Sequence, residues 1–188
     1  MIRKFLLLVS LNLCLLSAIF AAAKTDLSFL KADSIPVNIE DVKSIDAIIH
    51  AVYDVISGDS AVKRNWDRMR TLFIPEGRLI STGIRPDGTS RYRVMSLEDY
   101  INLNGPFLEK NGFFENEISK KTEQFGNIAH VFSTYQSKHK QTDEKPFARG
   151  INSIQLMFDG KRWWVVSIYW TGESPTHPIP GKYLKNKD

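Results

Sequence analysis

The sequence predicts an α+β domain: three N-terminal helices packed on a strongly curved, mainly antiparallel sheet that forms a conical pocket. Two observations carry this reading. Between residues 44 and 103 the apolar residues recur at three-and-four spacing, and beyond Gly112 the pattern turns to alternating strands separated by short turns. Helices followed by hairpin-linked strands bury their apolar stripes on one face of the sheet.

The first helix opens near Ser44, presents Ile45, Ile48, Ile49, Val52, Val55 and Ile56 on one face, and ends at Ser57-Gly58. A second, capped by Asp59 or Ser60, points Val62, Trp66, Met69, Leu72 and Phe73 inward and stops at Pro75. Arg78 to Thr82 reads as a short strand, and Pro86-Asp87-Gly88 as a hairpin turn or exposed loop. Ser96-Leu97-Glu98-Asp99 is a capping-box pattern that opens a third helix through Tyr100, Ile101 and Leu103, which Pro106 kinks or ends. Strands over 113–124, 128–138, 147–158 and 161–171 follow, with turns at Gly126-Asn127 and Asp159-Gly160, and form an antiparallel meander.

The ends of the chain read differently. Arg3 and Lys4 precede an apolar run from Phe5 to Leu16, and Ala21-Ala22-Ala23 supplies an Ala-x-Ala cleavage pattern. Residues 1–23 are therefore read as a signal peptide, with a periplasmic or secreted destination and no stable membrane span after cleavage; retention as an N-terminal anchor is the competing reading. The single cysteine, Cys14, lies inside this segment, so the processed chain has no thiol and no disulfide. Residues 24–43, with Pro36, read as an N-terminal extension, 44–172 as the domain, and 173–188 as an extended Pro-containing tail. Without Arg3 and Lys4, the 25 basic residues fall nearly into balance with the 21 acidic ones, which removes the electrostatic argument for a nucleic-acid partner.

The order of these elements, with Ser57-Gly58-Asp59, Leu72-Phe73 before Pro75-Glu76-Gly77, and Asp159-Gly160-Lys161-Arg162-Trp163-Trp164-Val165-Val166 running to Tyr169-Trp170, resembles the nuclear transport factor 2-like superfamily. That superfamily includes ketosteroid isomerase, scytalone dehydratase and the SnoaL-like polyketide cyclases. The resemblance covers about residues 44 to 171 and implies a cone-shaped fold around a largely apolar cavity. It also implies where the isomerase's two carboxyl groups would fall: Ser81 and Ile154. Neither is acidic, so isomerisation by that mechanism is not expected.

Candidate pocket residues follow from strand parity. Strict alternation puts Trp164, Val166, Ile168 and Trp170 on one face of the last strand, with Trp163, Val165, Ser167 and Tyr169 on the other. Trp170 is the candidate pocket wall, and Trp163 and Tyr169 suit a homodimer interface through the sheet face; core packing competes with both roles. Asn152 shares a face with Ile154, and a buried amide needs a partner, either a ligand oxygen or the backbone. His130 is the candidate general acid or base if its row faces inward, and Tyr135 belongs to the opposite row; periodicity does not choose between them. Tyr53 is the second catalytic candidate. Trp66, His130, Asn152, Ile154 and Trp170 thus form the expected ligand-binding set. The four histidines have no metal-site spacing, and the sequence has no Gly-rich phosphate loop and no Gly-x-Ser-x-Gly elbow, so no metal or cofactor is expected. The leading expectation is an exported protein that binds a small, mostly apolar molecule. The alternatives are an isomerase, dehydratase or cyclase using a pocket His or Tyr, and a dimerising module whose cavity is filled.

Overall fold

The computed structural model describes residues 35–85 and 87–184. The expected signal peptide 1–23, Cys14 and the first part of the extension lie outside the described residues. Within them the elements are α1 (Ile39–Val42), α2 (Ile45–Ile56), α3 (Trp66–Leu72), β1 (Phe73–Ile84), β2 (Ser90–Met95), α4 (Leu97–Asn111), β3 (Phe114–Phe125), β4 (Ile128–Lys138), β5 (Ala148–Phe158) and β6 (Trp163–Gly172).

The strands form one curved, unclosed sheet in the order β2-β1-β6-β5-β4-β3. All neighbours are antiparallel except β1 and β6, which pair in parallel. Ser44 and Ser96 cap α2 and α4, the latter through the full capping box with Asp99. Two expectations are corrected here. Pro106 does not end α4, which runs on to Asn111; Leu108 beyond the proline is buried, and Gly105 lies so close to Trp66 that a Cβ there would sit 3.2 Å from the indole. That packing outweighs the local penalty of a proline inside a helix. The second expected helix, α3, is capped by Asn65 rather than by Asp59 or Ser60, and Val62 is exposed.

Residues before Ser44 also join the packed body. Val42 of α1 is fully buried, and the buried Asp41 accepts two hydrogen bonds from Arg68, at 2.7 and 2.9 Å. Arg68 also pairs with Asp54, so one side chain of α3 links α1 and α2.

Two bulges decide which side chains face the helices. In the β5–β6 ladder Leu156 pairs with Val165 but Gln155 pairs with Ser167, which leaves Val166 unpaired and reverses the parity of β6. Trp163 and Val165 consequently share the inner face with Ile168 and Trp170. Trp163 is a core residue at 7% exposure and not the dimer anchor that strict alternation suggested. A second bulge in β3, between Glu117 and Ser119, puts Glu117 and Lys120 on one face, where they pair at 3.1 Å.

The turn from α2 to α3 is closed by one buried guanidinium. Arg64 donates from Nε to Ile56 O (3.0 Å), from Nη1 to Val62 O (2.5 Å) and Asp59 O (3.3 Å), and from Nη2 to Gly58 O (2.6 Å) and Leu108 O (3.1 Å). It thereby serves the last turn of α2 and the last turns of α4, whose carbonyls have no partner within their own helices. Gly58 leaves the room: a Cβ there would lie 2.7 Å from Nη1. Replacing Arg64 with Met orphans these carbonyls, and we expect a loss of roughly 3 kcal/mol in stability, read from the midpoint of urea unfolding. Lys, with a point charge in place of a planar fork, should recover less than half of it.

Candidate functional site

Helices α2 and α4 stand over the inner face of the sheet and enclose a cavity of about 240 Å³. Its walls are mostly apolar, with Val52, Ile56, Met69, Leu79, Leu108 and Ile168 the main contributors. Phe107 and Phe147 line it while remaining about half exposed, which places the opening beside them. Trp170 closes one side, edge-on to Tyr100 with ring centroids 6.3 Å apart.

Polar groups reach this space from few positions, and the principal one is Glu115. It stands opposite Ser137 in the β3–β4 ladder, so both side chains point to the same face. Its Oε2 accepts from Ser137 Oγ at 2.8 Å, and its Oε1 accepts from Asn152 Nδ2 at 3.3 Å. Burial pushes the carboxyl up to about 7, against the opposing effect of these two hydrogen bonds, which favour the charged form. A carboxyl titrating near neutrality is suited to give or take a proton.

Tyr53 lies behind Glu115 with its hydroxyl committed elsewhere. Asn152 Nδ2 donates to it at 3.1 Å, and it bonds Ser133 Oγ at 2.7 Å. Ser133 has a single proton, which it donates to Glu117 Oε2 at 2.5 Å, so the phenol must donate to Ser133. Burial, followed by the charge of Glu115, raises Tyr53 above the usual phenol range. Tyr100 and Tyr135 also line the cavity and are raised by burial, so both stay protonated. Among the described residues neither hydroxyl has a hydrogen-bond partner, which leaves two donors for an oxygen acceptor in the cavity. Gly150 makes room for Tyr135, because a Cβ there would lie 2.4 Å from the phenol oxygen.

Of the expected ligand-binding set, Asn152 and Trp170 line the cavity and the other three do not. Ile154 is fully buried in the core. Trp66 packs on Gly105 and donates from Nε1 to Glu109 Oε1 at 3.3 Å. His130 is on the opposite face of the sheet: the buried row of β4 is Ala129, Val131, Ser133, Tyr135 and Ser137, and the imidazole Nε2 meets Ser153 Oγ at 3.0 Å. The inward row is therefore the one that carries Tyr135. Ser81 pairs with Trp170 in the sheet, and neither it nor Ile154 brings a carboxyl. Sequence reasoning passed over Glu115, since a strand reading Phe-Glu-Asn-Glu looks solvated until its register against Ser137 is known. Among the described residues no group of three His, Cys, Asp or Glu side chains is placed to hold a metal ion.

No protein-family model and no curated protein matches this sequence. Solved structures do match its fold. A protein of unknown function with a cystatin-like fold from Nostoc punctiforme is similar at 11% identity and a TM-score of 0.53, over 72% of this chain and 92% of its own. An uncharacterised cystatin-like protein from Caulobacter vibrioides gives 13% and 0.51, over 71% and 90%, and a protein from Kribbella flavida gives 11% and 0.51, over 70% and 90%. The fold is the cystatin-like, nuclear transport factor 2-like cone that the sequence resemblance implies.

The raised carboxyl has a consequence for stability. Glu115 has a folded-state value of about 7 against an ordinary 4.5, so the folded chain binds the extra proton between those values and stability falls as pH rises from about 4.5 through 7. The cost is fully present above 7 and absent below 4.5. In Glu115→Gln this decline, up to about 3 kcal/mol in the wild type, should flatten when unfolding is followed at pH 4.5, 6 and 8.

Proposed function

We propose that this chain is an exported protein whose cone holds a small, mostly apolar molecule bearing an oxygen acceptor. The observation that carries the reading is a mostly apolar cavity of about 240 Å³ with two unpaired phenol donors and one carboxyl at its wall. That volume exceeds the roughly 150 Å³ that accommodates benzene and is below the roughly 300 Å³ where sites for drug-sized ligands begin. A ligand of one ring, or a short branched chain, fits those bounds. The same volume counts against a module whose cavity is filled by its own side chains.

A second reading, proton-transfer catalysis of the isomerase, dehydratase or cyclase kind, draws support from Glu115. A carboxyl near neutrality beside two phenol donors provides an acid or base and a cradle for developing negative charge. In this reading Glu115 replaces His130 and Tyr53 as the proton carrier.

Homodimerisation through the outer sheet face belongs to the same proposal. Tyr92, Val94 and Tyr169 are exposed there at 77%, 55% and 49%. The tail covers the neighbouring part: Tyr183 packs on Phe132 with centroids 5.0 Å apart and accepts from Thr134 Oγ1 at 2.6 Å. A partner is therefore expected over β1, β2 and β6.

Native mass spectrometry of protein recovered from the exported compartment should show a chain beginning at Lys24 with a retained small molecule. An intact N-terminus would sink cleavage in favour of the retained anchor, absence of the chain from that compartment would sink the export reading, and an empty chain the ligand reading. Trp170→Ala should weaken retention about tenfold or more, while Glu115→Gln should retain the ligand and abolish any proton transfer. Tyr169→Glu should shift a dimer to monomer in sedimentation velocity.

A further inference from the structure

Glu115 borders a second space. An open groove of about 880 Å³ lies between α2 and the start of β3, with Tyr53 and Ser57 along its floor and His50, Asn116, Lys138 and Gln141 around it. Among the described residues Glu115 is the one that lines both the groove and the cavity. We infer that Glu115 exchanges protons with solvent through this groove while facing the bound molecule from the cavity side, so that ligand and proton use separate openings. The inference rests on the pocket reading above.

The geometry on either side supports this division. The two hydrogen bonds to the carboxyl come from Ser137 and Asn152, both on the sheet, and Asn152 also donates to Tyr53 of α2, which lines the groove. The Glu115 backbone N–H donates to Ser57 Oγ at 3.0 Å, and Ser57 in turn donates to Tyr53 O at 2.7 Å. This pair of bonds holds β3 beside the end of α2 and sets the width of the groove. An open polar groove of this size admits water, whereas an apolar molecule filling the cavity displaces it. Without the groove, binding would cut the carboxyl off from solvent in whichever protonation state it then held.

The titratable groups that face Glu115 on the cavity side are the phenols Tyr100 of α4 and Tyr135 of β4. On the groove side they are Asp46, His50, Tyr53 and Asp54 of α2 and Glu117, Lys120 and Lys138 of β3 and β4. Lys120 bridges Asp46 at 2.7 Å and Glu117 at 3.1 Å, which keeps the groove polar and charged. The phenols stay protonated, so near neutral pH the described residues of the cavity side offer Glu115 no other group from which to recover its proton.

The test follows the Glu115 carboxyl carbon by NMR in ¹³C-labelled protein. His50 is exposed on α2, and His50→Trp should narrow the groove and raise the Glu115 midpoint by roughly half a pH unit or more through desolvation. Gln141→Trp, on the loop after β4, should do the same and guards against an effect peculiar to α2. Unchanged midpoints in both variants overturn the inference. With the cavity of the wild type saturated by benzene, Glu115 should still titrate reversibly; loss of its titration on benzene binding overturns the inference as well. Benzene failing to bind counts against the pocket reading, and the two cases are distinguishable because the tryptophan variants report on Glu115 without any ligand.

Discussion

The structure depends on the way one guanidinium gathers the open ends of two helices. Arg64 spends all of its donors on backbone carbonyls from the end of α2, the turn that follows and the end of α4. Those carbonyls would otherwise need water inside a packed body. Because Ile56 and Leu108 supply two of them and also line the cavity, the contact that closes the turn also fixes how far apart the two helical walls stand. The turn is further tied to the sheet through Gly58 and Phe113, which exchange hydrogen bonds at 2.7 and 3.0 Å just before β3 begins. Glu115 follows two residues later, so its place at the wall descends from the same junction.

Within that frame, burial has different consequences for different polar groups. Tyr53, Ser133 and Glu117 form a chain whose proton directions are all determined, and Asn152 joins it to Glu115. A buried polar chain is tolerable when every member is satisfied. Tyr100 and Tyr135 depart from that rule, and they do so at the cavity, where a ligand can complete them. The raised carboxyl at Glu115 is the same departure in electrostatic form: a group held where its charged state is under-solvated, beside a space where chemistry or recognition can use it.

The outer face of the sheet shows a parallel economy of apolar surface. The tail from Glu173 is pinned by the Arg149–Glu173 pair at 2.8 Å and carries Tyr183 against Phe132 of β4. Toward β2 the face remains uncovered, with Tyr92 and Val94 outward. Exposed apolar side chains grouped in this way mark an interaction surface more often than a solvated one.

Periodicity and caps in the sequence were sufficient for the class of the fold, the helix starts at Ser44 and Ser96, and the four strands after Gly112, because these depend on neighbours three or four residues away in helices and on alternation in strands. They also placed Asn152 and Trp170 at the inner face. What depended on distant residues was not legible. The Val166 bulge reverses the parity of β6 only through its pairing with β5, and it moved Trp163 from the outer face into the core. The row of β4 that faces the helices is chosen by packing, which sent His130 outward and Tyr135 inward. Glu115 becomes a cavity residue only through its register against Ser137 and its closeness to Asn152, 37 positions along the chain. Its proton affinity is set by desolvation, a property of the assembled volume that no local pattern of residues encodes.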